Sequence, residues 1–125
     1  MDRNQTIQFV HNLFKDVWTD LNEDKIIDYY HHNVKVEFGK QQAQYHNIIN
    51  RLKYVKANFT KITNDIEDII VEGDKVAIRI SQTYQKHNDI NSAKTYNLIA
   101  MYKITDRKVS NIWACIDPAI DYFEA

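Results

Sequence analysis

Asp117 is the residue whose type and surroundings best suit chemistry. It shares strand parity with Trp113 and Cys115, so the three side chains are expected on one face of a strand. If that face borders a cavity, apolar neighbours would favour the neutral carboxyl group and suit it to general acid or base catalysis. Asp117 also precedes Pro118, where an aspartate often accepts backbone hydrogen bonds in a turn. Both interpretations are open at this point.

The other reactive residue types form no recognisable motif. The five histidines include no pair at metal-binding spacing, and the adjacent His31 and His32 would point apart on a helix. Cys115 is the only cysteine, and no basic residue beside it in sequence would activate its thiol. The two glycines, Gly39 and Gly73, are too few for a glycine-rich nucleotide loop. We therefore predict no metal and no cofactor.

Composition and charge limit the partners of the protein. The 125 residues, 44% hydrophobic and 26% charged, suit a single folded domain over residues 1–125. The formal net charge of -1 argues against nucleic-acid binding, which usually needs a basic surplus. The polar beginning and the lack of a long apolar run predict no signal peptide and no membrane span. A cytoplasmic protein is therefore expected.

Helical periodicity dominates the first half of the chain. Apolar residues at helical spacing predict a first helix over residues 4–21 and a third over residues 45–59. Asp20 and Glu23 fit a capping box for a second helix, which ends at about Asn33. Three helices are therefore expected before the four longer strands of the sheet.

Strand-like alternation dominates the second half. A short strand is predicted over residues 34–38, and four longer strands follow at about 61–71, 76–85, 94–104 and 109–117. Because the helices come first and the strands follow one another, we predict an α+β fold. In that fold, three N-terminal helices pack on a mainly antiparallel sheet.

The predicted sheet is apolar on both faces. In the strand at 94–104, Leu98 and Ala100 alternate with Ile99 and Met101. A sheet of this kind needs cover on both faces, and three helices can cover only one. The second face is covered either by the C-terminal segment at 120–123 or by another copy of the chain. Symmetric dimers are the commonest oligomers, which favours a sheet-to-sheet homodimer.

Residues 22–38, a predicted helix that runs into a strand, and residues 103–117, a predicted hairpin, resemble parts of a known family. That family is the SnoaL-like branch of the nuclear transport factor 2-like superfamily, which includes polyketide cyclases and ketosteroid isomerase. Residues 22–38 resemble the family's second helix running into a strand. Residues 103–117 resemble its closing hairpin, in which a tryptophan precedes an aspartate by four residues, although Arg107 stands where the family has glycine. The resemblance implies a curved sheet forming a cone-shaped α+β barrel. In the cyclases, the aspartate that matches Asp117 is the acid or base.

The implied cone has a pocket at its wide end, suited to a small hydrophobic molecule bound among aromatic side chains. The candidate ligand-binding residues are Phe14, Trp18, Tyr30, Phe38, Tyr102 and Trp113. The alternative is that the same rings pack together as an ordinary core.

Two functions remain open on the sequence. Asp117 and Trp113 favour an enzyme of the cyclase, isomerase or hydrolase type. Phe38 stands where ketosteroid isomerase has its proton-abstracting aspartate, and the first helix has no tyrosine to hold an enolate. These two features favour a non-catalytic module for ligand binding or dimerisation.

Overall fold

Three α-helices and one six-stranded sheet make up the part of the chain that the computed structural model describes, residues 1–120 and 122–123. The helices are α1 (Arg3–Asp16), α2 (Ile26–Tyr29) and α3 (Tyr45–Asn58), with 3-10 turns at Glu23–Lys25 and Ile90–Ser92. The strands are β1 (Tyr30–Phe38), β2 (Gln41–Ala43), β3 (Phe59–Glu72), β4 (Lys75–Lys86), β5 (Lys94–Thr105) and β6 (Lys108–Asp117).

The sheet has the strand order β2-β1-β6-β5-β4-β3. All neighbouring strands are antiparallel except β1 and β6, which pair in parallel. The predicted α+β class and the mainly antiparallel, curved sheet are confirmed. The sheet stays open, with β2 and β3 as its edges, and does not close into a barrel.

The first helix is shorter than its apolar stripe predicts. The side chain of Asp2 caps α1 by accepting from the backbone N–H of Gln5 at 2.8 Å, and the helix ends at Asp16. The hydroxyl of Thr19 then donates to the carbonyl of Phe14 at 2.8 Å, and Leu21 has a positive φ of 54°. Residues 17, 18 and 21 are buried nonetheless, because a compact turn presents them to the core.

The second helix is a single turn, and the prediction that it runs to residue 33 is wrong. Asn22, not Asp20, caps the preceding 3-10 turn by accepting from the N–H of Asp24 at 3.1 Å. The chain is already extended at Tyr30, where β1 begins. Burial of every second residue at the end of β1 and its pairing with β6 favour strand over helix in this segment.

Two glycine turns join strands of the sheet. Gly39, with φ +58°, links β1 to β2, and Gly73, with φ +59°, links β3 to β4 as the sequence predicts. The three-residue β2 was not predicted, because it is too short to show a period. These left-handed backbone positions favour glycine, since a Cβ is strained there.

The two faces of the sheet differ in what packs against them. We call the side that faces the helices the inner face and the opposite side the outer face. On β4 the inner residues Val76, Ile78 and Ile80 are buried. Tyr122 stacks on Phe38, which is also an inner residue. The described C-terminal residues therefore pack on the inner face, and the suggestion that they cover the outer face is wrong.

Candidate functional site

A small cavity lies between the inner face of the sheet and the helices, and we call it the aromatic cavity. Its aromatic walls are Phe14, Trp18, Tyr30, Phe38, Tyr102, Tyr122 and Phe123. Its aliphatic walls are Ile48, Leu98, Ala100, Ile112 and Ala114. Its free volume is about 30 Å³, which holds a water molecule and admits an organic ligand only when a wall side chain moves.

The structure brings five of the six predicted ligand-binding residues together at this cavity: Phe14, Trp18, Tyr30, Phe38 and Tyr102. It does not bring Trp113 or Asp117 there. Along β6 the inner side chains are Ile112 and Ala114, so the alternating residues 113, 115 and 117 point to the outer face. Asp117 is exposed at the end of the strand. The cavity therefore lies on the face of β6 opposite to Asp117.

The polar groups at the cavity are the indole N–H of Trp18 and the phenols of Tyr30, Tyr102 and Tyr122. The Nε1–H of Trp18 donates to the hydroxyl oxygen of Tyr30 at 2.8 Å, and Tyr102 lies beside Tyr30. Burial raises the pKa of Tyr30 and of Tyr102 above the usual value for a phenol. Both hydroxyls therefore stay protonated near neutral pH and can donate hydrogen bonds, but they cannot abstract a proton.

A chain of amides holds the segment that carries Trp18. The buried Gln82 donates from Nε2 to Oδ1 of Asn64 at 2.8 Å. Asn64 in turn donates from Nδ2 to the backbone carbonyl of Trp18 at 2.9 Å. This link fixes the turn after α1 to strands β3 and β4, and so positions one wall of the cavity.

The C-terminal residues Tyr122 and Phe123 close the cavity. The ring of Tyr122 stacks on Phe38 with centroids 4.2 Å apart and an interplanar angle of 12°. Phe123 meets Phe38 edge-on at 5.5 Å, and its backbone N–H donates to the side-chain oxygen of Gln41 at 3.4 Å. The rings of residues 122 and 123 thus occupy space that the sheet and helices leave open.

Arg51 is a buried arginine next to this closure. Its side chain is on α3, and the residue is 6% exposed. The guanidinium carbon lies 4.1 Å from the ring centroid of Tyr122, 5.5 Å from that of Tyr54 and 5.9 Å from that of Tyr84. Within residues 1–120 and 122–123, its Nε has no hydrogen-bond partner.

The helical spacing in the sequence indicates that Arg51 lies on the buried face of α3. Ile48, Leu52 and Val55 form the buried stripe of α3, and residue 51 lies between positions 48 and 55 on the same helical face. A solvated helix face is the ordinary explanation of the basic run in the sequence at Arg51, Lys53, Lys56 and Lys61. That explanation is wrong for Arg51, because its helical position is an inward one.

Neither a metal-binding cluster nor a membrane-spanning helix occurs among the residues that the structure describes. No group of three or more histidine, cysteine, aspartate or glutamate side chains is arranged to hold a metal ion. No helix among them is both long and apolar enough to cross a membrane. Cys115 is a free thiol and is exposed on the outer face, although its apolar sequence neighbours predict burial.

Comparisons with known proteins give the fold. No family model and no curated protein sequence matches the chain. Among solved structures, AclR of Streptomyces galilaeus, provisionally named a hydroxylase, matches with a TM-score of 0.80 and 15% identity, over 93% of this chain and 77% of that one. A provisional SnoaL-like polyketide cyclase of Jannaschia sp. CCS1 matches with a TM-score of 0.77 and 17% identity, over 94% and 92%.

A third structure, a provisional polyketide cyclase of Bacillus cereus, has a TM-score of 0.74 and 21% identity, over 94% of this chain and 80% of that one. The architecture that these three share with the chain is the nuclear transport factor 2-like fold in its SnoaL-like form. The chain therefore has the fold that its sequence resembles, and its function has to be argued from its own residues.

Proposed function

We propose that the protein is a non-catalytic module that binds a small aromatic molecule in the aromatic cavity. The observation that carries this proposal is the chemistry of the walls. Every lining residue that the structure describes is aromatic or aliphatic, so none supplies a carboxylate, an imidazole or a thiol. Concave, apolar walls with a few hydrogen-bond donors are typical of sites that bind small organic molecules.

The position of Asp117 favours this alternative over an enzyme. A general acid or base has to lie within hydrogen-bond reach of the reacting atom. The carboxylate of Asp117 is exposed on the outer face, with Asn97 as its cross-strand neighbour. The phenols of Tyr30 and Tyr102, which do face the cavity, stay protonated because burial raises their pKa.

A fluorescence and calorimetric titration with 2-naphthamide, a neutral two-ring probe, tests the proposal. Ala114→Leu fills the aromatic cavity from β6, whereas Ala77→Leu adds the same atoms on the outer face of β4. We expect the wild type and Ala77→Leu to bind the probe, and Ala114→Leu to lose at least tenfold in affinity. Equal affinity in the two variants, with circular dichroism showing both folded, would contradict binding in the cavity.

We also propose that the protein forms a homodimer through the outer face of its sheet. Ile70, Ala77, Met101 and Trp113 lie side by side in one row across β3, β4, β5 and β6. Ile99 lies beside Met101 on the same face, and Ile70, Ile99 and Met101 are 67%, 56% and 39% exposed. Burial of such a patch against a second copy would remove apolar surface from water.

Charge complementarity favours a second copy of the chain as the occupant. Next to the apolar row, Arg79 on β4 donates to Asp68 on β3 at 2.9 Å, and both side chains are about half exposed. A twofold axis presents the same patch on both subunits, so a cation beside an anion can pair with the matching anion and cation of the partner.

Sedimentation velocity at micromolar concentration tests the dimer. We expect the wild type to sediment as a dimer and Ile99→Asp as a monomer. Ile90→Asp is the matched control, because Ile90 is equally apolar and is 74% exposed but lies in the turn between β4 and β5. A monomeric wild type would refute the dimer without affecting the proposal for the cavity.

A further inference from the structure

We propose that the ligand of the aromatic cavity is an aromatic carboxylate, whose ring replaces that of Tyr122 and whose carboxylate pairs with Arg51. This inference rests on the proposed binding function and adds the chemical class of the ligand. It also assigns the C-terminal residues the role of a displaceable plug.

The ring of Tyr122 marks a slot for a flat group. Phe38 stacks on it at 4.2 Å with nearly parallel planes, and the guanidinium carbon of Arg51 lies 4.1 Å from its centroid. Two groups at these distances cannot occupy the same face of one ring, so the phenol is held between them. An aromatic ring from a ligand would find the same two surfaces, one aromatic and one cationic.

A ligand can enter the aromatic cavity only if one of the side chains that form its walls moves out. The free volume of about 30 Å³ does not admit an aromatic ring while the walls stay in place. Most walls belong to the packed sheet and helices, where movement would break many contacts. Tyr122 and Phe123 instead follow the last strand, and Phe123 is tied to Gln41 by a long 3.4 Å hydrogen bond. Tyr122 and Phe123, which form the plug, are therefore the wall residues whose movement breaks the fewest contacts.

Arg51 then selects for an anion. When Tyr122 leaves, the guanidinium of Arg51, a residue that is 6% exposed while that ring is in place, faces the emptied slot. A buried charge without a counter-charge is unfavourable, so an anionic ligand gains free energy that a neutral ligand does not. No ion pair to Arg51 occurs within residues 1–120 and 122–123.

The geometry of the guanidinium favours a carboxylate in particular. Arginine binds a carboxylate through two parallel N–H groups, and Nε–H with one Nη–H forms such an edge. The Nε of Arg51 is the atom that lacks a partner among the described residues. The ring centroids of Tyr54 and Tyr84 also lie near the guanidinium carbon, at 5.5 and 5.9 Å.

Two probes of the same shape test the inference: 2-naphthoate, which carries a carboxylate, and 2-naphthamide, which is neutral. We expect the wild type to bind the naphthoate at least tenfold more tightly by calorimetry. Arg51→Met should abolish that preference, so that this variant binds the naphthoate no more tightly than the naphthamide. Lys53→Met removes an exposed cation two residues away on α3 and should keep the preference.

The plug is tested with Tyr122→Ala, which removes the competing ring. We expect this variant to bind 2-naphthoate about tenfold more tightly than the wild type, and an unchanged or lower affinity would refute displacement of Tyr122. If Arg51→Met does not fold, Arg51→Lys keeps the charge but loses the two-donor edge and should reduce the preference severalfold.

The outcomes separate this inference from the proposed function. Equal affinities of the wild type for the two probes, or a preference that survives in Arg51→Met, would overturn the carboxylate inference while the cavity still binds aromatic molecules. Failure of both probes to bind the wild type and Tyr122→Ala would overturn the proposed function itself.

Discussion

The indole of Trp18 and the phenol of Tyr30 form a buried pair, joined by a hydrogen bond of 2.8 Å between Nε1 and the hydroxyl oxygen. Trp18 lies in the turn after α1, and Tyr30 is the first residue of β1. Their exposures are 5% and 1%, so neither polar group has ready access to water. The pair therefore ties the end of the first helix to the start of the sheet at the wall of the aromatic cavity.

Removal of the Tyr30 hydroxyl tests the strength of this tie. Tyr30→Phe leaves the N–H of Trp18 buried without its present acceptor, and we expect the free energy of unfolding to fall by about 1–3 kcal/mol. Urea denaturation followed by tryptophan fluorescence measures the loss. Tyr54→Phe is the matched control, since Tyr54 is 40% exposed on α3, and it should change stability by less than about 0.5 kcal/mol. Equal stability of the two variants would show that the bond contributes little.

Alkaline pH should destabilise the protein through its buried tyrosines. Burial raises the pKa of Tyr30, Tyr84 and Tyr102 above the usual value of 10.0. Above pH 10, the unfolded chain therefore releases phenolic protons that the folded protein retains. The free energy of unfolding should fall by up to about 1.4 kcal/mol per pH unit for each buried tyrosine, and below pH 10 this effect is absent.

Urea midpoints between pH 8 and pH 11 measure this dependence. The midpoint should fall most steeply above pH 10, and Tyr84→Phe should make that fall shallower because it removes one of the three groups. Tyr54→Phe again serves as the exposed control. A midpoint that falls as steeply in Tyr84→Phe as in the wild type would contradict a retained proton at Tyr84.

The elements that the sequence predicts correctly are those whose apolar pattern repeats over a long stretch of residues. The third helix and the strands β4, β5 and β6 each repeat their pattern over ten residues or more, so their bounds agree with the structure to within a few residues. The sequence predicts helix over Tyr30 to Asn33, where the structure has strand, because the local pattern fits a helix and only tertiary contacts reveal the strand. Pairing with β6 and the bond to Trp18 decide its structure.

The candidate site was predictable in part for the same reason. Aromatic residues on buried stripes, such as Phe14 and Tyr102, converge wherever the sheet and the helices enclose space. Which face of β6 borders that space depends on the register with β5, and so Asp117 could not be assigned from parity alone. Tyr122 lies beyond the last strand, where no period exists to predict its position on Phe38.

The turn between β3 and β4 gives a test of backbone strain alone. Gly73 has φ +59°, and a Cβ built on it meets no atom within 4 Å, so a side chain there strains the backbone but causes no clash. We expect Gly73→Ala to lower the free energy of unfolding by about 1 kcal/mol. Gly73→Asn should lose less, because asparagine tolerates this conformation better. If the alanine variant is as stable as the asparagine variant, the strain at this turn is negligible.

Neutralising Asp117 distinguishes the two functions that the sequence left open. In Asp117→Asn we expect an unchanged affinity for 2-naphthamide and a stability within about 0.5 kcal/mol of the wild type, because the exposed carboxylate lies outside the aromatic cavity. Tyr102→Leu changes a cavity wall instead and should weaken binding of the same probe severalfold. Calorimetric titration of both variants gives the comparison. A loss of affinity in Asp117→Asn that matches the loss in Tyr102→Leu would place the carboxylate at the ligand and revive a catalytic role, since the cavity would then contain the acid or base that its walls lack.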